Sequence, residues 1–324
     1  MIRKNIRPTL IVRLNGGLGN QLFQYSSVLG YLYPFDLILE YEVFSKYVTP
    51  NPPEITKLIL PISPTQIHAT TQSYVNNLCN NAILKSISYP DHRFLSFVHQ
   101  LAILILSITK SMEYGKFMRV VTQRSLGDLP NLRKNSNLYF VGYFQSNRIP
   151  NMSRMMSIKP LRPSEELSTK IQQAISKKPL FIQVRCGDYE ESSNDDLGSL
   201  DSSFFESAYK AAIKFEKYSD IWIFTDDEIR ARQILSFLCA DQIKYLSEVN
   251  NSISETLELL RYGQGYIISN STFGWWGAKL AYNLDVRVIA PHPWFRKVSQ
   301  PDFQNIDWEW VSREPHKERG PTNG

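Results

Sequence analysis

Apolar and polar positions follow two regimes along this chain. From Leu180 to Ala290, short apolar runs of strand length alternate with stretches of helical period. Leu180–Arg185, Ile221–Thr225, Ile243–Leu246, Tyr266–Ser269 and Val286–Ala290 read as strands. Between them, Phe205, Ala208, Ala212 and Phe215 share one helical face, behind a Ser203/Glu206 pair with capping-box spacing. Asp227–Leu238 and Gly274–Asn283 read as helices, and a further helix starts at a Ser252/Glu255 pair and stops near Gly263. Such alternation predicts a parallel, doubly wound sheet.

The first half opens in the same way and then loses its regularity. Leu10–Leu14 is a predicted strand, Asn15–Gly19 a turn, Asn20–Tyr33 a helix and Asp36–Glu40 a second strand. Residues 41–137 pattern poorly, with prolines at 50, 52, 53, 61 and 64 and helical pieces beyond 74. Leu138–Gln145 reads as a strand, and the polar stretch Asn147–Arg162 as a linker. The expected organisation is α/β, with one domain over 1–155 carrying an irregular helical insert at 41–137. A second domain covers 156–312, and a mobile charged tail 313–324. No internal repeat of solenoid period is present.

Composition narrows the function classes. The chain of 324 residues is 43% apolar and 21% charged, ordinary for a globular protein. A net charge of +5 and a pI near 8.9 suit an anionic substrate or loose contact with an anionic membrane surface. No basic run or zinc-finger spacing points to nucleic acid. Three scattered cysteines, Cys79, Cys186 and Cys239, argue against a disulfide framework. The apolar window Phe94–Ile108, interrupted by His99 and Gln100, falls short of the roughly 20 residues of a membrane span and reads as a buried or interfacial helix. The N-terminus shows no signal peptide or anchor, which places the expected site of action in the cytoplasm.

Four segments carry candidate chemistry. The apolar run Phe181–Val184 ends at Arg185, with Gly187, Asp188 and Tyr189 directly after. Ligands of α/β proteins bind where parallel strands end, and a guanidinium there can hold a phosphate through two hydrogen bonds. The competing reading is a structural arginine paired with Asp188. In the first βα turn, Gly16, Gly17 and Gly19 would allow close backbone approach, and Asn20 would open a helix. A dinucleotide fingerprint would need glycine at position 22, which is Leu22, although Glu40 stands where a ribose-binding acid is expected. That partial match supports an oxidoreductase as the alternative function. Thr225-Asp226-Asp227 ends another strand, with Asp227 suited to cap the next helix and Asp226 to meet a ligand. Ser269 to Gly277 (SNSTFGWWG) puts Ser271, Thr272 and Phe273 at a helix start, where free N–H groups and the dipole favour phosphate; capping explains the hydroxyls equally well. Neither zinc nor calcium spacing nor a P-loop is present.

Together these segments resemble the alpha-1,2-fucosyltransferases. Gly16–Tyr25 matches their GGLGNQ-F-Q-Y opening, Gly142–Ser146 their GYFQS, and Ser269–Ala278 their Ser-Asn-Ser-Ser-Phe-Ser-Trp-Trp-Gly-Ala, with Thr272 and Gly274 substituted. Phe181–Tyr189 corresponds to the family's His-x-Arg-Arg-Gly-Asp-Tyr strand, with Gln183 in place of His and Cys186 in place of the second Arg. The resemblance implies a GT-B fold, in which two Rossmann-like domains face a cleft. It also implies inverting, metal-independent transfer of L-fucose from GDP-fucose to the 2-hydroxyl of galactose.

On this basis Arg185, Asn20, Ser271, Thr272 and Phe273 are expected at the donor, Asp226 at the guanine, and Arg185 and Asp188 at the chemistry. Cys186 removes one arm of the phosphate grip, so an inactive sugar-nucleotide-binding relative is a further alternative. The acceptor expected is a galactose-containing oligosaccharide, lipid-linked in bacterial surface-polysaccharide (O-antigen) synthesis, met at the inner face of the membrane. Acceptor specificity is expected to reside in 41–137, because the donor motifs lie elsewhere.

Overall fold

The computed structural model describes residues 7–43, 52–71, 74–88, 93–123, 136–186, 197–238, 243–247, 252–303 and 308–313. The chain divides into two compact units, Met1–Arg162 with Pro301–Phe303, and Pro163–Gln300 with Gln304–Gly324. Each is α/β with a parallel sheet.

The first unit runs β1 (Thr9–Leu14), α1 (Leu18–Ser27), β2 (Asp36–Val43), β3 (Leu58–Ile59), β4 (Gln66–Thr71), α2 (Tyr74–Ser88), α3 (Arg93–Tyr114), β5 (Met118–Val121), β6 (Asn137–Phe140), α4 (Met152–Met155) and β7 (Lys159–Pro160). Its five-stranded sheet has the order β4-β2-β1-β6-β5, all parallel. Two of these strands, β4 and β5, fall inside the stretch that patterns poorly. Both are sheet edges, and an edge strand has less need of a continuous apolar run. The predicted Leu138–Gln145 strand ends at Phe140, because the backbone turns through positive φ at Gly142 and Phe144. The polar stretch read as a linker is ordered: it forms α4, and β7 pairs antiparallel with β3. After most of the second unit the chain returns to the first. Ser146 bridges to Asp302, and Phe303 stacks on Phe23 with ring centroids 5.2 Å apart.

One face of the first sheet is organised by a buried carboxylate. The register aligns Arg13 with Glu40, and Glu40 with His68. Glu40 is fully buried and accepts from Lys110 Nζ at 2.8 Å and Tyr139 Oη at 2.8 Å, with Tyr114 Oη at 3.2 Å and Arg13 Nη1 at 3.4 Å. Burial alone would raise its pKa, but the charges of Lys110 and Arg13 and the Tyr139 hydroxyl outweigh it and hold the carboxyl below its usual range. Glu40 is therefore a structural hub rather than a ribose ligand, and Leu22 is fully buried. Both observations remove the residue basis of the oxidoreductase alternative.

The second unit runs α5 (Glu165–Lys177), β8 (Leu180–Val184), α6 (Ser202–Ile213), β9 (Ile221–Thr225), α7 (Glu228–Ile234), β10 (Ile243–Leu246), α8 (Ile253–Leu259), β11 (Gly265–Ile268), α9 (Thr272–Lys279), β12 (Arg287–His292) and β13 (Glu309–Ser312). Its six-stranded parallel sheet has the order β10-β9-β8-β11-β12-β13. Every residue of β8, β9 and β11 is buried, as central strands covered on both faces require.

Two helix starts differ from expectation. Asp201, not the Ser203/Glu206 pair, caps α6 by accepting from the N–H groups of Ser203 and Phe204. Ser252 holds the N-cap position of α8 without a side-chain cap bond, and Glu255 instead accepts from Ser164. Arg313, assigned to the mobile tail, is buried; its guanidinium donates to the carbonyls of Leu197, Gly198, Ser199 and Trp294. Residues 314–324 lie outside those described.

Because Lys110 is 2% exposed and would keep only the partly exposed Glu113 as a partner, neutralising Glu40 leaves a buried charge under-compensated, at a cost of up to about 3–5 kcal/mol. Glu40→Gln is expected to lower unfolding free energy by about 3 kcal/mol in urea titrations. A loss below about 0.5 kcal/mol would show that the network is dispensable. Since folding lowers the Glu40 pKa, its contribution is present at neutral pH and is lost as pH falls through the folded value. The mutant should accordingly show a shallower acid-side decline than the parent.

Candidate active site

In the second sheet β8 is the strand from which the chain winds outward in both directions, to β9 and β10 on one side and to β11, β12 and β13 on the other. Ligands of open α/β sheets bind outside the carboxyl ends of the strands at this reversal. A pocket of about 240 Å³ lies there, lined by Gln183 and Arg185 after β8, Phe224, Thr225 and Asp226 of and after β9, and Ser247 after β10. Ile253 and Thr256 of α8 and Phe273 of α9 complete it.

The parallel register aligns Val184 with Thr225, so the next residues of both strands leave the sheet side by side. Arg185 Nη1 lies 2.8 Å from Asp226 Oδ2, and the Cys186 N–H donates to Asp226 Oδ1 at 2.8 Å. Asp226 thus fixes both the guanidinium and the backbone that carries it. The brace foreseen for Asp188 is supplied by Asp226, which was expected to read guanine; Asp188 lies outside the described residues. Asp227 caps α7, accepting from the Arg230 N–H at 3.0 Å.

The remaining predicted residues divide between the two units. Phe273 lines the pocket beside Arg185 and Asp226, while Ser271 and Thr272 form the N-cap and first residue of α9 without entering its lining. Ser271 makes no side-chain cap bond to the first turn of α9. Trp275 and Trp276 are both fully buried core. Asn270, which opens a glycosylation sequon, is 3% exposed and donates to the carbonyls of Leu197 and Gly198.

In the first unit α1 begins at Leu18 with Gly17 as N-cap, so Asn20 lies inside the first turn rather than opening the helix. The glycine the turn requires is Gly16: its φ is +74°, and a Cβ there would meet Asn20 Nδ2 at 2.6 Å. Nothing lies within 4 Å of a Cβ on Gly17, and Gly19 is a buried residue of α1. Asn20 Oδ1 accepts from Gln145 of the GYFQS segment, and Gln21 and Gln24 brace the turn through Gly16 O and the Asn15 N–H.

The departures at Gln183, Cys186 and Gly274 find a physical account. Cys186 is 3% exposed and packs in the core with Leu200, Phe204 and Phe205. Burial pushes its thiol pKa up. An arginine there would bury a guanidinium instead of adding an arm to the pocket. Gln183 Oε1 accepts from Ser269 Oγ at 2.5 Å and lies 2.7 Å from where a Cβ on Gly274 would be. Two positions that differ from the related pattern therefore adjoin, and the glycine at 274 leaves the room that Gln183 occupies.

Ser247, Ile253 and Thr256 escaped the sequence reading. Ser247 and Ile253 directly follow features that were read, a strand end and a helix start, and Thr256 hid behind the assumed capping box.

One triad of possible metal ligands occurs among the described residues, Glu40, His68 and Glu113 in the first unit. Lys110 Nζ sits between two of them, 2.8 Å from Glu40 and 2.9 Å from Glu113. Its ammonium already fills the place a cation would take.

Residues 122–312 match glycosyl transferase family 11. The chain belongs to that family. It is 25% identical to an alpha-1,2-colitosyltransferase of Escherichia coli over 93% of this chain and 98% of the relative. It is 24% identical to the O-antigen biosynthesis glycosyltransferase WbnK of Escherichia coli, over 87% and 93% of the two chains. Among solved structures, the fucosyltransferase NodZ from Bradyrhizobium superposes with a TM-score of 0.47 at 14% identity, covering 85% of this chain and 93% of that one. The ADP-heptose heptosyltransferase II of E. coli gives 0.45 at 12%, covering 94% and 90%. This family 11 member is thus a glycosyltransferase, and its own chain forms two α/β units, each with a parallel sheet.

The Gln183–Gly274 contact is testable by non-additivity. Gly274→Ser should displace Gln183 and lower both the melting temperature and nucleotide affinity. Combined with Gln183→His it should lose less than the sum of the two single substitutions. Additive losses would show that the contact couples nothing.

Proposed function

We propose that this glycosyltransferase transfers L-fucose from GDP-fucose to the 2-hydroxyl of a galactose residue, with inversion, in surface-polysaccharide synthesis. The observation that carries the reading is Arg185, braced by Asp226 at the mouth of a pocket with aromatic walls. Phe273 and Ile253 offer apolar surface to a base, Ser247 and Thr256 offer hydroxyls to its polar edge, and Arg185 offers two donors to a diphosphate. The alpha-1,2 linkage and the O-antigen setting are those in the names of the two relatives. The first of these also favours colitose as the sugar transferred, and the choice is read by offering both GDP-linked sugars in competition.

In the proposed step the acceptor hydroxyl oxygen bonds to the anomeric carbon as the bond to the GDP oxygen breaks. Negative charge grows on the leaving diphosphate. Arg185 and the first-turn N–H groups of α9 meet that charge, prearranged by the sheet and by Asp226. The acceptor's proton leaves to solvent or a base; Asp188 is the carboxylate proposed nearest the reaction by sequence. Fixed positive groups of this kind perform the charge stabilisation that other transferases draw from a divalent cation.

Incubation with GDP-fucose and a galactose-terminated oligosaccharide is expected to yield fucosylated product undiminished by EDTA. Arg185→Ala should weaken GDP binding by about 10- to 150-fold, the equivalent of 1.5–3 kcal/mol for a hydrogen bond to a charged group. Cys186→Ala should leave it within about twofold, as expected for a core residue outside the pocket. Activity abolished by EDTA and restored by Mg²⁺ or Mn²⁺ would overturn the metal-free mechanism. Equal losses at positions 185 and 186 would overturn the assignment of the phosphate contact.

A further inference from the structure

Helix α3 carries two faces that the sheet cannot both use. His99, Ala102, Leu106 and Lys110 are buried, packed toward α2 and the first sheet. On the opposite side Phe94, Phe97, Leu101, Leu104, Ile108 and Met112 are exposed, from 47% at Leu101 to 79% at Met112. Steps of three and four residues place these six on one stripe, about 80° wide at 100° per residue. An exposed apolar stripe of this length marks an interaction surface. The helix has 22 residues and is long and apolar enough to cross a bilayer, yet its other face is committed to the protein core. Lying along a bilayer surface is the arrangement that satisfies both faces.

Charge decides between a membrane and a second copy of the chain. Residues 74–123 hold Lys85, Arg93, Lys110, Lys116 and Arg119 against only Asp91 and Glu113. Glu113 is already paired with Lys110. Arg93 is exposed at one end of the stripe and Lys116 beyond the other; Arg119 alternates with Met118 and Val120, which pack with α3, and so lies on the opposite face of the sheet. Lys116 lines one groove with Leu104, Ile108 and Met112. Two copies packed stripe to stripe would set Arg93 against Arg93, or against Lys116, with only Asp91 and the already paired Glu113 to relieve the repulsion. Anionic headgroups supply the missing charge at both ends while the acyl region takes the apolar side chains.

We propose that α3 is an interfacial membrane helix, with the Phe94–Met112 stripe sunk into an anionic bilayer and Arg93 and Lys116 at headgroup level. The test is co-sedimentation of the full chain with phosphatidylcholine vesicles, with and without phosphatidylglycerol. Binding should be markedly stronger with phosphatidylglycerol and weaken at high salt. Leu101→Glu/Leu104→Glu/Ile108→Glu should reduce binding about tenfold or more, and Arg93→Gln/Lys116→Gln should abolish its dependence on phosphatidylglycerol. Unchanged melting temperature and GDP binding in both variants would show an intact fold. Failure of the parent chain to bind either vesicle, or equal binding of parent and glutamate variant, would overturn the proposal. So would a dimer in sedimentation velocity that the glutamate substitutions dissociate, since the stripe would then belong to a second copy.

Discussion

The ion pair between Arg185 and Asp226 depends on one structural constraint, the parallel register of β8 and β9. Val184 and Thr225 are partners, so the chains leave the sheet together and the next charged side chains meet. An exposed ion pair contributes little to stability. This one is about two-thirds buried at each partner, and its value lies in direction rather than energy. A free arginine side chain samples many rotamers, and fixing it on binding costs roughly 2 kcal/mol. Asp226 fixes it in advance, so under the proposed function a diphosphate arriving at the pocket meets a charge already in place.

The rest of the second unit serves that geometry. Fully buried β8, β9 and β11 make the strand ends a rigid edge, and Arg313 and Asn270 tie the Leu197–Ser199 carbonyls to it. Gln183 and Gly274 fill the floor between β8 and α9 as a matched pair. In the first unit, Glu40 sets the packing of α3 against the sheet and so fixes which face of α3 is left outward.

The alternating blocks after Leu180 made the second sheet readable, because central parallel strands must be apolar throughout and their helices amphipathic. Arg185, Asp226 and Phe273 could be named from strand ends and a helix start alone. What could not be named was which carboxylate meets the arginine. Asp188 is near in sequence, whereas Asp226 is near only once the register is known. Strand β4 was hidden by its polar edge positions and β5 by its length of four residues. Cys186 was read as a lost arm because sequence order says nothing of which way a side chain turns; in the fold it turns into the core. Glu40 shows the same limit in reverse, since a strand-end acid looks like a ligand until its buried partners are seen.

The central claim is that Asp226 acts through Arg185. A double-mutant cycle on GDP affinity tests it directly, using Arg185→Ala, Asp226→Asn and the double variant in titration calorimetry. If Asp226 is a brace, its substitution weakens GDP binding in the parent background and has almost no effect once Arg185 is gone. Independent, additive losses would contradict the account and make Asp226 a nucleotide contact in its own right.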